Sequence, residues 1–384
     1  MNMKKINNHT NRHNIYFIIS QLKWVVIVGT LLLFNQVLFS FEYYVITDPT
    51  PTQKEGNAAY LQEVRALGEE LGNGQYLFAP FSITADKNNV FVYDRAQVKV
   101  FRFTPDLKLQ VFFGRGGQAP GEFYSRDRLD ALEIAIGNDG NFYVNNFSAG
   151  RMIGLDRQGK QLKSYYYGDF LYVNKPTADK NGNVLFVFLK DGRIEIQNEK
   201  KMILAQGKSE KVHYGFLYEG PGKNSKELYA RQKFPPETSW TLTIDGKLLI
   251  LFSASATVAI FNGKEYERTL KLWPQGALER YKKYYHQEKK KKEDMFSPMF
   301  FSLIVDQDNR DIFYVQERSD YSQKKNSFLL YAFDLAGRLL KVIHVPIQWL
   351  DGDPYFPRIQ AKVNHTFYAT RGGEEIVMYK EKTK

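Results

Sequence analysis

The segment Phe81–Phe123, FSITADKNNVFVYDRAQVKVFRFTPDLKLQVFFGRGGQAPGEF, alternates short aromatic and β-branched runs with tight-turn residues. FSITAD at Phe81, VFVYD at Val90, VKVFRF at Val98 and LQVFFG at Leu109 each have the length and composition of a strand. Asn88-Asn89 separates the first two, and Thr104-Pro105-Asp106 the last two. Asparagine tolerates the positive φ that a two-residue hairpin turn requires. The segment therefore predicts four antiparallel strands in succession.

The same unit recurs. Strands resembling VFVYD stand at Val90, Phe142, Val184, Leu248, Ile312 and Thr366, spaced 52, 42, 64, 64 and 54 residues apart. Before the last five lie the turn pairs Asp139-Gly140, Asn181-Gly182, Asp245-Gly246, Asp308-Asn309 and Asn364-His365. A preceding strand is predicted in each case: LEIAIG at Leu132, KPTAD at Lys175, WTLTI at Trp240, FSLIVD at Phe301 and RIQAKV at Arg358. A second hairpin follows in most units, as in RIEIQ at Arg193 and FLLYAFD at Phe328. An all-β period of this size predicts a six-bladed β-propeller of four-stranded antiparallel blades.

The sixth unit ends after EIVMYK at Glu375, one strand short. An open ring would expose two sheet edges. An N-terminal strand, LQEVRAL at Leu61–Leu67, is the expected substitute that closes the last blade. Phe41–Thr47 is a competing candidate, and a helix over 61–71 is the alternative for that segment.

GRGGQAPGEF at Gly114–Phe123 and the preceding VFVYDRAQVKVFRF carry a family resemblance. They resemble the blade junction and strand pair of bacterial six-bladed propellers related to NHL repeats, the NHL-like and TolB-like rings. The resemblance runs from about Leu61 to the C-terminus and is strongest over 61–160. It implies a ring whose loops carry the function. Later units depart from the pattern, with no second PGEF. Two insertions, Gly207–Glu237 and Pro274–Pro298, frame the fourth unit. The second has helical propensity, and its Tyr281, Tyr284 and Tyr285 offer an aromatic face.

Residues 1–40 contain Lys4, Lys5, Arg12 and Lys23 and no acidic residue. The apolar run Trp24–Phe34 behind this basic flank predicts an N-terminal hydrophobic helix, either a signal peptide or an uncleaved transmembrane anchor. Residues 41–60 then form a linker, 61–384 form the propeller, and the ring lies outside the cytoplasm in the cell envelope, periplasmic or secreted. The net charge of +11 falls to +7 without 1–40, and much of the excess sits in Lys282, Lys283 and Lys289–Lys292. An exported chain seldom meets nucleic acid, so a nucleic-acid partner is not expected.

There is no cysteine, so thiolate metal sites and cysteine nucleophiles are excluded. No G-x-S-x-G, Walker or H-E-x-x-H sequence is present, and no catalytic residue is assigned. Candidate binding residues are those where loops lead into the inner strands: Arg126, Arg128, Asp130, Lys175, Glu237, Trp240 and Arg358. The arginines and lysine suit a small anionic ligand, or they pair with rim acids such as Asp127, Asp130, Asp169 and Asp353. Calcium would have only Asp130, Glu133, Asn174 and Glu237 to bind it, against opposing charge, so neither metal nor other cofactor is expected. His344 and His365 alone do not make a zinc site. Asp306–Asp308 and Asp351–Asp353 are expected to be turns. The expected function is a binding or scaffold module for an unknown protein or small anion. The alternative is a hydrolase or lyase in the central funnel.

Overall fold

The computed structural model describes residues 45–46, 57–68, 70–72, 74–117, 119–123, 132–146, 149–166, 176, 178–182, 184–190, 193–197, 203–207, 215–216, 238–253, 256–262, 265–280, 300–317, 327–350, 353–355 and 357–382. Two units divide the chain, Met1–Tyr43 and Tyr44–Lys384, and all described residues belong to the second. The N-terminal apolar segment lies outside the described residues. Among the described residues no helix is long and apolar enough to cross a membrane.

The architecture is all-β, built of blade-like antiparallel sheets. The first sheet contains Pro80–Ala85, Val90–Asp94, Lys99–Phe103 and Leu109–Phe113, in that order from one edge to the other. The second contains Glu133–Ile136, Phe142–Asn146, Arg151–Leu155 and Gln161–Tyr166. The third has three strands, Phe186–Lys190, Arg193–Gln197 and Ile203–Gly207. Among the described residues of the expected KPTAD strand, Ala178 makes a bridge to Val184. The fourth comprises Thr238–Leu242, Lys247–Phe252, Thr257–Asn262 and Glu265–Lys271.

Seven late strands and one early strand form an eight-stranded sheet with two halves. Phe300–Val305, Ile312–Glu317, Ser327–Asp334 and Leu339–Pro346 make one half, and Arg358–Val363, Thr366–Arg371 and Glu375–Glu381 lie in the other. Ala58–Leu67 joins them. Its first residues run parallel to Val342–His344, and Leu61–Leu67 runs antiparallel to Ile376–Glu381. The segment is a strand and not a helix, because both neighbouring edges offer it backbone partners. The competing segment pairs elsewhere, with Val45–Ile46 parallel to Gly215–Phe216.

The second strands are buried on both faces, as in Val90–Asp94 and Thr366–Arg371. This explains their unbroken apolar runs, since each face packs against a neighbouring sheet. Phe91, Tyr93 and Val100 of the first sheet share a core with Ile134, Phe142 and Val144 of the second. Ile83, Val92 and Phe103 share another with Val363, Tyr368 and Met378.

Among the described residues the inner strands share only isolated backbone contacts such as the Asp306–Lys362 bridge, so side chains serve their backbones. Ser82 Oγ accepts from Ile134 N at 3.1 Å, and Thr84 Oγ1 from Ile136 N at 3.3 Å. Gln360 accepts from Ile83 N at 2.9 Å and donates to Phe81 O at 2.8 Å. Gln316 does the same for Ile359 N at 3.0 Å and Pro357 O at 2.8 Å.

The glycine-rich junction closes on itself. A Cβ on Gly114 (φ +85) would lie 2.3 Å from the buried Phe123 ring, and one on Gly117 (φ +153) 2.0 Å from Glu122 Oε2. Glu122 accepts from Arg115 Nε and Ala119 N inside its own loop. The second insertion begins as a helix over residues 275–280, anchored by buried Ala277 and Leu278. Arg280 grips Glu317 through two bonds of 2.8 and 3.0 Å. The tyrosines and lysines beyond it lie outside the described residues, as does most of the first insertion.

At the far ends of the inner strands, buried Lys362 Nζ lies 2.8 Å from both Asp306 Oδ1 and Asp308 Oδ2. Tyr314 donates to Asp306 at 2.8 Å, and burial together with that carboxylate pushes its hydroxyl pKa upward. Burial opposes the ionisation of Asp308, but donation from Lys362, His365 N and Asn364 N outweighs it and lowers its pKa. The contribution of Asp308 is therefore complete above its ordinary value of 3.8 and is lost as pH falls through the lower folded value. Lys362→Met is predicted to cost about 3–5 kcal/mol in urea denaturation, because two carboxylates lose their cation in a buried setting. The melting temperature of the parent protein is predicted to fall more steeply below pH ~4 than that of Asp308→Asn.

Candidate functional site

The leading ends of the inner strands form the mouth, and their far ends form a cavity. Thr84–Asp86, Ile136–Asn138, Thr241, Gln307, Gln360 and Lys362 are among the residues that line that cavity, whose volume is about 90 Å³. A water molecule occupies ~30 Å³ in the liquid and ligand pockets span roughly 300–1,000 Å³, so this space suits a few waters. The turns around it are laced together. Asn138 Nδ2 donates to Thr243 O at 2.9 Å, and Asn364 Nδ2 to Lys87 O at 2.9 Å. The Asp306-x-Asp308 pair does sit in turns, and the cation between its carboxylates is the Lys362 ammonium.

At the mouth, Asp94 sets the geometry. This buried carboxylate accepts from Phe78 N at 2.6 Å, Ala79 N at 3.2 Å, Ala96 N at 2.9 Å and Gln97 N at 3.0 Å. It thereby fixes both the loop that leads into Pro80–Ala85 and the turn that carries Arg95. Arg95 N donates to Ala79 O at 2.9 Å, and its guanidinium lies over Phe81, 5.8 Å from the ring centroid. Arg358, from the far end of the sequence, lies over the same ring at 5.7 Å.

Arg358 also contacts Glu133 Oε1 at 3.3 Å with a side chain 40% exposed, while Glu133 Oε2 accepts from Ser82 Oγ at 2.8 Å. Among the described residues no carboxylate lies within ion-pair distance of Arg95. Two guanidinium groups thus lie over one aromatic ring, and one acid partly offsets them. Cation–π contact holds each planar fork in a fixed attitude while leaving N–H groups at its rim for an oxyanion.

Of the seven residues expected at the mouth, Arg126, Arg128, Asp130, Lys175 and Glu237 lie outside the described residues. Arg358 opens the strand Arg358–Val363 at the mouth and is paired with Glu133. Trp240 is 1% exposed, so it belongs to the core, and its Nε1 has no hydrogen-bond partner among the described residues. It is buried because it stands opposite Ile250 in the middle of a strand pair. Glu133, one of the carboxylates considered for calcium, is engaged by Ser82 and Arg358. His344 stacks on Tyr60 at 4.7 Å and His365 sits in an exposed turn, so the two histidines do not converge.

Sequence reasoning missed Arg95 and Phe81. Their signal was the Asp94-Arg95 dipeptide after a buried strand, where a turn-setting acid fixes the residue that follows. Asp94→Ala is predicted to destabilise the fold by on the order of 3 kcal/mol in urea denaturation, since several buried N–H groups lose their acceptor.

No protein-family model matches this chain, and no curated protein does. Among solved structures, the chain is similar to a protein assigned as exported from Bacteroides fragilis, at 10% identity over 89% of this chain and 99% of that one, with a TM-score of 0.50. It is also similar to a member of the DUF4221 family from Bacteroides vulgatus (13% identity, 84% and 98% covered, TM-score 0.48). Virginiamycin B lyase from Staphylococcus aureus is a further neighbour (12% identity, 83% and 99% covered, TM-score 0.44). At these identities the first likeness bears on fold alone, and with the sheets described above it supports a β-propeller-like fold.

Proposed function

We propose that this chain is an exported six-bladed β-propeller, related to the NHL-like rings, that acts in the cell envelope as a binding module for a carboxylate-bearing ligand. The observation that carries this reading is the pair of guanidinium groups, Arg95 and Arg358, over Phe81 at the mouth. A rigid ring holds them, and the far end of the channel has room for only a few waters. Binding therefore takes place at the mouth.

Six blades follow from the six sequence units, with the three-stranded sheet and its Ala178–Val184 bridge as the third. Export rests on the basic and apolar character of residues 1–40 and agrees with the assignment of the Bacteroides fragilis neighbour. In this reading Arg126, Arg128 and Lys175 extend the positive rim, and Asp130 and Glu237 limit it. The insertions 207–237 and 274–298 then shape specificity.

Calorimetric titration with succinate, glucuronate and a short aspartate-rich peptide tests the reading. At least one is expected to bind in a salt-sensitive manner, with affinity reduced tenfold or more by Arg95→Gln and by Arg358→Gln at unchanged melting temperature. Equal binding of uncharged analogues, or no loss in either variant, would overturn it.

A further inference from the structure

A second surface lies on the outside of the ring. Leu109–Phe113 is the last strand of the first sheet, with no neighbour on its outer side among the described residues. Val111 and Phe112 are both 39% exposed. Beside the strand runs a groove of about 590 Å³, lined by Leu67, Leu71, Leu107, Leu109, Val111 and Phe112 together with the polar Gln75, Lys108 and Gln110. Its other wall is the end of the closing strand Ala58–Leu67 and the small Glu70–Gly72/Gln75–Tyr76 hairpin.

Natural sheets protect such edges with charge or cover them. Of the other outer strands, Ile203–Gly207 also lacks charge, but the rest show one device or the other. Glu265–Lys271 carries Glu267, Arg268 and Lys271, Gln161–Tyr166 carries Lys163, and the edges of Leu339–Pro346 and Glu375–Glu381 are covered by Ala58–Leu67. Leu109–Phe113, LQVFF, has neither device. Around it stand three cations, Arg65, Lys99 and Lys108, and two acids, Asp106 and Glu70. Lys99 Nζ lies over the Phe112 ring at 4.7 Å, and Arg65 Nη1 donates to Asp106 O at 2.6 Å. Neither has a carboxylate partner among the described residues. Lys108, at the end of the strand, is paired with Asp106 at 3.1 Å.

We infer that Leu109–Phe113 is a docking edge for an extended segment of a partner protein in which acidic residues alternate with apolar ones. The segment adds a fifth strand. Its backbone pairs with the open edge, its apolar side chains enter the groove, and its acids meet Lys99 and Arg65. Charge selects this occupant over two others. A second copy would bring the same cations face to face, and residues 1–40 of this chain contain four basic residues and no acidic one. The surface is independent of the proposed anion site at the mouth.

The test is fluorescence anisotropy of the full-length protein with a labelled nine-residue peptide alternating Glu or Thr with Val, against the same peptide with Lys for Glu. The acidic peptide is expected to bind saturably and at least tenfold more tightly than the basic one. Lys99→Glu combined with Arg65→Glu should reverse that preference, and Val111→Pro should abolish binding, because proline removes a strand N–H. The surface charge reversal guards against misfolding of the proline variant. Protection of Leu109–Phe113 amides from hydrogen exchange should accompany binding. Equal affinity for both peptides, no measurable binding, or an unchanged preference after charge reversal would overturn the inference. So would self-association through this edge, seen in sedimentation and lost in Val111→Pro.

Discussion

A ring of sheets has to close, and here the closing strand comes from the other end of the chain. Leu61–Leu67 pairs with Ile376–Glu381, and buried Arg371 binds Glu63 across 308 residues of sequence at 2.6 Å while also holding Glu375. Without that strand, two sheet edges would be left unpaired and the seam core between the first and last sheets would open. Closing so long a loop costs entropy that rises only slowly with length, but it delays the reward of contact formation. The local four-strand units offset this, since each is built from hairpins between near neighbours in sequence.

Within the closed ring, one position is used in different ways. Asp94, Asn146, Glu317 and Arg371 each end the second strand of a sheet, and each is buried. Asp94 gathers backbone N–H groups and sets the mouth. Glu317 receives Arg280 and Tyr331, which fastens the inserted helix to its sheet. Arg371 holds the closing strand. A burial requirement is common to all four, but the polar partner is local. For this reason the recurrent motif fades along the chain while the architecture does not.

Charge follows the same logic at both ends of the channel. At the far end, Lys362 stands between Asp306 and Asp308 and neutralises a pair of carboxylates that the sequence places two residues apart. At the mouth, Arg358 is shared between Glu133 and Phe81, and Arg95 rests on the same ring. Buried charges are thus compensated, and the uncompensated ones lie where solvent reaches them. The outer face repeats the contrast, with Lys99 and Arg65 beside an apolar strand edge.

The sequence alone determined most of the strands and their turns, because short apolar runs and turn-forming residues are local properties. It also indicated Leu61–Leu67 as the closing strand, since a missing edge can be counted. It placed Arg358 at the start of an inner strand, and therefore at the mouth. What the sequence could not decide was partnership. That Arg358 meets Glu133 and Phe81, that Arg95 joins it, that Lys362 fills the Asp306–Asp308 pair and that Trp240 turns into the core all depend on which sheets become neighbours. Those contacts join residues tens to hundreds of positions apart, and their distances are set by ring closure, a property of the whole chain that no single unit carries.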